Sequence, residues 1–182
     1  MSYNPDIHHR KSIRLKEYDY SQEGLYFITI CTQNREHLFG EIVDNNDVGA
    51  GFSRPNINQI HKTKIGKIIE NEIINLPNKY KNIKCDEYVI MPNHIHFIIE
   101  IMENIKGRED PAPTIGNIVG YFKFITTKLY NEILEIKNEK YLKLWQRNYY
   151  ENIIRNEKQY IMVSEYIKNN PLKWTDDKYY EK

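Results

Sequence analysis

The 182-residue chain is short of cysteine, of net charge and of long apolar runs, and each shortage excludes something. Two cysteines, Cys31 and Cys85, cannot make a disulfide framework, and no close Cys/His pairing suggests structural zinc. Lysine and arginine number 26 against 25 aspartates and glutamates, a net charge of +1. There is therefore no global basic field, and a nucleic-acid partner would have to be held by local patches. No apolar run approaches the length of about 20 residues that spans a bilayer. The stretch Met1-Ser2-Tyr3-Asn4-Pro5-Asp6 is polar, unlike a signal peptide. The expected setting is the cytoplasm, with no membrane partner.

What the chain does have is an ordinary globular balance, 40% hydrophobic and 28% charged, in a length that suits one domain over 1–182. Residues 1–20 form a polar arm with Arg10, Lys11, Arg14 and Lys16 close together. Leu25–Thr32 is rich in β-branched and aromatic residues and reads as a first strand, with His37–Val43 as its short hairpin partner. Residues 44–58 carry Asn, Asp, Gly and Pro without periodicity and read as a surface loop or insertion. Helical spacing over Ile60–Leu76 predicts a helix that Pro77 stops. Strands follow at Ile83–Met91 and His94–Met102, a helix from Thr114 to about Ile136, a strand at Tyr149–Arg155, and a last helix capped by Asn156 and ended by Pro171. The tail beyond reads as irregular. Strand, helix, strand, strand, helix, strand is the α+β, ferredoxin-like (βαββαβ) pattern: an antiparallel sheet with two helices on one face. The additional C-terminal helix is left to cross the open face.

Tyr88-Val89-Ile90-Met91-Pro92-Asn93-His94-Ile95-His96-Phe97-Ile98-Ile99-Glu100-Ile101 organises the rest. Side chains alternate along a strand, so His94 and His96 project together, in line with Ile98 and Glu100 on the solvent-side row. Ile95, Phe97, Ile99 and Ile101 make the opposite, core-facing row. Two adjacent imidazoles are half of a metal site, or else two ordinary polar residues near a strand end. On the last helix Tyr166 and Asn170 are four apart and share a face. If that helix crosses the open sheet face, a phenol and an amide oxygen arrive beside the imidazoles; otherwise Tyr166 is core and Asn170 a helix stop. Pro171 disfavours helical angles at Asn170, which leaves Asn169 as a substitute.

Met91-Pro92-Asn93-His94-Ile95-His96, then Trp145-Gln146-Arg147, then Tyr166-Ile167-Lys168-Asn169-Asn170-Pro171 resemble the single-tyrosine HUH (IS200-like) transposases, and within them the REP-associated tyrosine transposases. The resemblance runs over nearly the whole chain, and the three segments in this order make it specific. It implies that Tyr166 is the nucleophile, that His94 and His96 bind a divalent metal (Mg²⁺ or Mn²⁺, with Zn²⁺ less favoured), and that Asn170 is the amide ligand. The implied reaction is cleavage and rejoining of hairpin-associated single-stranded DNA through a 5′-phosphotyrosine, which conserves bond energy and needs no nucleotide cofactor. Arg14, Lys123, Lys128, Arg147 and Arg155 are candidate phosphate contacts. Trp145 is a candidate for base stacking, and Gln146 and Arg147 for reading base edges. The resemblance favours a monomer, with a dimer that exchanges tyrosine helices as the other arrangement. The 44–58 loop looks longer than the family pattern. A non-catalytic DNA- or RNA-binding regulator on the same fold is the alternative reading, and a replication or conjugation initiator a third.

Overall fold

The computed structural model describes residues 19–43, 59–102, 113–136 and 141–180. The 44–58 loop and nearly all of the basic arm, Arg14 included, lie outside the described residues. The main sheet is built from β1 (Gly24–Cys31), β4 (Ile83–Lys84), β5 (Tyr88–Met91), β6 (His94–Ile101) and β7 (Tyr150–Ile154). Its order is β4-β6-β1-β7, with β5 also on β6, and every pairing is antiparallel. Helices α1 (Lys64–Lys79) and α2 (Ile115–Ile133) join these strands, and α3 (Glu157–Asn169) follows β7. The architecture is the expected α+β sheet, with three helices.

The alternation of β6 divides the molecule. Ile95, Phe97, Ile99 and Ile101, with Tyr26, Ile28 and Ile30 of β1, bury against Ile65, Ile69, Ile73 and Leu76 of α1 and Ile115, Ile118, Val119 and Phe122 of α2. On the other face Phe27, Ile98 and Ile154 pack against Ile167, with Tyr160 and Val163 beside them, so α3 lies across that face. Its dipole-facing start is ordered by Asn156, whose side chain accepts from Gln159 N. Thr114 caps α2 in the same way, accepting from Asn117 N.

Five local expectations change. Gln59–Lys62 is a strand, β3, paired with β2 (Gly40–Val43) in a separate two-stranded sheet, so α1 starts only after its Thr63 cap. His37–Val43 consequently does not return along β1. Pro77 lies inside α1, which continues to Lys79: its fixed φ is helical, and near a C-terminus the lost N–H forfeits a single bond. The strand expected over Ile83–Met91 is broken into β4 and β5, both on β6, with Ile98 N bonded to Glu87 O in the gap. Finally, Asn170 keeps helical angles (φ −58°, ψ −42°), and the chain runs on as a 3₁₀ helix, Asn170–Asp176, with Pro171 in its first turn.

The small sheet is held against α1 by a close approach. Phe39 O accepts from Thr63 N at 2.9 Å, and a Cβ on Gly66 would lie 2.0 Å from that same oxygen. Alanine in a helix ordinarily adds stability over glycine. Here the sign reverses: Gly66→Ala is expected to destabilise by about 1–3 kcal/mol, as overpacking does, read as a lower midpoint in urea or thermal unfolding.

Candidate active site

His94 and His96 lie side by side on β6, as their spacing requires, but not in solvent. They are 0% and 1% exposed. The cover comes from α3, from the segment after it and from β1: Trp174 and Tyr179 sit 5.9 and 4.7 Å from the His94 ring, while Tyr166 of α3 and Phe27 of β1 lie 5.1 and 5.3 Å from the His96 ring. Burial is the main force keeping both rings uncharged. It pulls His94 down to about 3 and His96 well below its ordinary value; the nearby Lys178 acts in the same direction on both.

Hydrogen bonds then fix where each proton sits. Asn93 donates Nδ2–H to Tyr179 O (2.8 Å), which turns its Oδ1 toward His94 Nδ1 (2.8 Å). An amide oxygen only accepts, so a neutral His94 carries its proton on Nδ1 and a lone pair on Nε2. His94 Nε2 and His96 Nε2 are 2.9 Å apart, so His96 donates there, and its Nδ1 accepts from Thr29 Oγ1–H at 2.7 Å. Thr29 is placed for this because β1 pairs it with His96.

Tyr166 reaches the same point from α3. Its hydroxyl is 3.2 Å from His96 Nε2 and donates to Asp177 Oδ2 at 3.3 Å. The ring stands edge-on to Phe27 and is 39% exposed, bordering a cleft of about 710 Å³. Burial of the phenol, then the Asp177 carboxylate, raises its ionisation above the ordinary 10. One turn on, Asn170 is 2% exposed, donates Nδ2–H to Asp177 Oδ2 (3.0 Å), and leaves its buried Oδ1 without a hydrogen-bond partner. Asn169 is exposed and borders the cleft, so the deep amide is that of Asn170.

This donor set fits a divalent cation. His94, His96 and Asp177 can each aim a ligand atom into one space, all within 4.8 Å of one another. The partnerless Asn170 Oδ1 beside them is the kind of buried acceptor that an ion satisfies. Neutral imidazoles with carboxylate and amide oxygens suit Mn²⁺ or Mg²⁺.

Asp177 was absent from the sequence expectations, as was Tyr179. Both lie in the tail read as irregular; Trp174, a large apolar residue eight positions beyond Tyr166, was the available signal that this tail packs.

Other expected residues scatter. Trp145 is 5% exposed, and its indole N–H goes to Thr126 Oγ1, so it belongs to the core and is not placed to stack a base. Lys123 donates to Gln146 O (2.6 Å) and Arg147 O (2.9 Å), bracing that segment against α2. Lys128 and Arg147 border a groove on the outer side of α2, on the opposite sheet face from Tyr166. Gln146 is partly buried between them and the core. Arg155 sits at the far end of α3, in a cavity of about 800 Å³ shared with Glu23, Glu87, Glu100 and Glu157, an acidic setting for a phosphate contact.

Two buried imidazoles, a tyrosine and an acid-amide pair on an antiparallel sheet define a candidate centre for tyrosine chemistry. A family model described as "Transposase IS200 like" matches residues 22–170, and the chain belongs to that family. It is also similar to a Haemophilus influenzae protein described only as uncharacterised, at 41% identity over 98% of this chain and 97% of that one. Among solved structures, a REP-associated tyrosine transposase bound to a REP hairpin shares the fold with a TM-score of 0.55 at 20% identity, over 89% of this chain and 74% of that one. No helix among the described residues is long and apolar enough to cross a membrane.

The buried neutral rings set a pH dependence. Unfolded histidine takes up a proton near 6.5, whereas folded His94 resists until about 3. The unfolded state therefore binds more protons in this window, and stability falls as pH drops from 6.5 toward 3. Unfolding midpoints measured from pH 7.5 to 4.5 are expected to decline, with a shallower decline in a His94→Gln variant.

Proposed function

We propose that the chain is a metal-dependent single-strand DNA transposase of the REP-associated kind, cleaving and rejoining hairpin-associated DNA through Tyr166. The observation that carries this reading is the phenol of Tyr166 lying 3.2 Å from His96 Nε2, within one chain. A REP hairpin is the ligand of the fold neighbour, which supports hairpin DNA as the substrate class.

The Tyr166 oxygen attacks a backbone phosphorus in the cleft, the bond to the 3′-oxygen breaks, and a 5′-phosphotyrosine and a 3′-hydroxyl result, the proton lost by the phenol being passed on, by way of Asp177 and solvent, to the departing 3′-oxygen. The phenolic proton is already directed at Asp177 Oδ2, which accepts it as the oxygen begins to bond. His94, His96 and Asn170 Oδ1, with Asp177 alongside, would hold a Mg²⁺ or Mn²⁺ ion, which supplies charge neutralisation of the scissile phosphate. Phe27 holds the His96 and Tyr166 rings in mutual orientation. Religation is the reverse attack by a 3′-hydroxyl, so no nucleotide cofactor is consumed. Because one chain supplies both imidazoles and the tyrosine, a monomer suffices for the reaction without exchange of helices.

Tyr166→Phe is expected to abolish covalent protein–DNA adducts on single-stranded hairpins with Mn²⁺ or Mg²⁺ while hairpin binding persists; adducts surviving in that variant on denaturing gels reject the assignment. Asn93→Ala removes the group that fixes the His94 tautomer. Loss of such an outer partner is expected to weaken Mn²⁺ binding by about 10–100-fold, read by calorimetric titration, and an unchanged affinity would remove Asn93 from this role.

A further inference from the structure

One cation of the Tyr166 cleft is placed by the fold and takes no part in the cleavage steps proposed for Tyr166. The cleft is lined by three carboxylates, Glu165, Asp176 and Asp177, and by two ammonium groups, Lys173 and Lys178. A phosphodiester brings a further negative charge into that lining, so its approach depends on cations held at fixed points. The ion proposed for the imidazoles is one such point. Lys178 is the other.

The backbone around Lys178 is anchored on both sides. Tyr179 N–H donates to Asp177 Oδ1 (2.7 Å), Asn93 Nδ2–H donates to Tyr179 O (2.8 Å), and Arg35 Nη1–H donates to Lys178 O (3.5 Å). From that anchored start the side chain carries its ammonium to 4.7 Å from the centre of the Tyr179 ring and 5.3 Å from that of Tyr150. Both distances lie within the reach of about 6 Å over which a ring face attracts a cation. The charge is felt at the imidazoles, where it is one of the forces holding His94 and His96 below their ordinary protonation range.

Tyr150 has no other evident task. It is 44% exposed and belongs to neither apolar cluster. Its pairing with Thr29 on β1 turns it to the Tyr166 face, where it lines the cleft. A ring face holds a cation without neutralising it, whereas a carboxylate partner would cancel its charge. Among the described residues Lys178 makes no ion pair, although Asp176 and Asp177 directly precede it. The ammonium is therefore fixed in position and keeps its charge and its donors for an incoming anion.

We infer that the Lys178 ammonium donates to a non-bridging oxygen of the scissile phosphate, the one that the ion does not take. Lys178 is then a further catalytic residue, and Tyr150 and Tyr179 are its positioning residues. The inference rests on the proposed Tyr166 chemistry and adds to it a second point of contact with the reacting phosphate. Attack by the phenol gathers negative charge on the non-bridging oxygens, and a cation held there beforehand stabilises that charge without reorganising. No proton moves at Lys178: the bonds made and broken, and the proton passed on, are those of the Tyr166 step. The same contact serves the reverse attack on the phosphotyrosine.

The test starts from single-stranded hairpins with randomised stems and flanks, enriched on the wild-type chain with Mn²⁺, and sequencing of the adducts identifies the scissile phosphate. On that hairpin Lys178→Ala is expected to slow single-turnover adduct formation by roughly 100-fold. Hairpin affinity and the unfolding midpoint are expected to stay close to wild type, and Lys178→Arg to recover part of the rate. Tyr150→Ala is expected to slow the wild type but to add nothing to Lys178→Ala, and Tyr150→Phe, which keeps the ring, to restore most of the rate. The scissile phosphate is then replaced by each methylphosphonate diastereomer, in which a methyl group takes the place of one non-bridging oxygen. One diastereomer is expected to slow the wild type and to leave Lys178→Ala no slower than it already is. A wild-type rate in Lys178→Ala, or equal slowing of both chains by both diastereomers, would overturn the contact while Tyr166-dependent adducts still uphold the cleavage. A wild-type chain that forms no adduct with any hairpin would overturn both.

Discussion

Everything at this centre depends on two uncharged imidazoles being buried with their Nε2 atoms 2.9 Å apart. Burial without partners would be costly, and the chain meets that cost with a one-way series of hydrogen bonds. Thr29 donates to His96, His96 donates to His94, and His94 donates to Asn93, which is itself locked by the carbonyl of Tyr179. The series has a direction because its terminal acceptor, an oriented amide oxygen, cannot donate. A neutral His94 therefore holds its Nε2 lone pair toward the centre. His96 does not: to ligate through Nε2 it must move its proton to Nδ1, and the Thr29 hydroxyl must turn from donor to acceptor. A hydroxyl can do that and an amide cannot, so the two ends of the series suit the different roles the two rings would have on the proposed chemistry.

The same series explains which parts of the site were legible in the sequence. The pairing of His94 with His96 follows from strand alternation, and the placement of α3 follows from the Asn156 cap and the apolar positions Tyr160, Val163 and Ile167. Those are local signals. The burial of the histidines was not legible, because their cover comes from Trp174, in a 3₁₀ segment about 80 residues downstream, and from Tyr179 just beyond that segment, neither in a run with apolar periodicity. Asp177 was missed for that reason, although it touches both Tyr166 and Asn170. Trp145, a base-stacking candidate in the sequence, proves to be buried with its indole N–H on Thr126, a partner 19 residues away that no local pattern points to. The β2–β3 pairing was hidden likewise, since Gln59–Lys62 abuts a helix and nothing in its own residues opposes extending that helix backward.

The two faces of β6 could not have exchanged roles. A slip of one residue would turn Ile95 and Phe97 toward Tyr166 and drive both imidazoles into the apolar layer under α1 and α2. Several pairings oppose it together: Met91 opposite His94 across the Pro92-Asn93 turn, Thr29 opposite His96, and Ile83 opposite Ile101. Only the second of these contributes to the chemistry directly. The apolar layer under α1 and α2 thus specifies the site from the opposite face of the sheet, by fixing a register.

On the proposed chemistry, the nucleophile is a phenol whose surroundings oppose its ionisation. Burial and the Asp177 carboxylate both oppose a phenolate in the chain by itself, so Tyr166 stays protonated and hydrogen-bonded between His96 and Asp177. A phosphate group and a cation entering the cleft alter the field around the same oxygen, and Asp177, turned toward the cation or protonated by the phenol, ceases to oppose the charge. The groups that restrain the phenol are then the ones that the proposed substrate complex would engage. On the proposed chemistry, reactivity is conferred by assembly of DNA and ion on a preset scaffold and not by a permanently activated tyrosine.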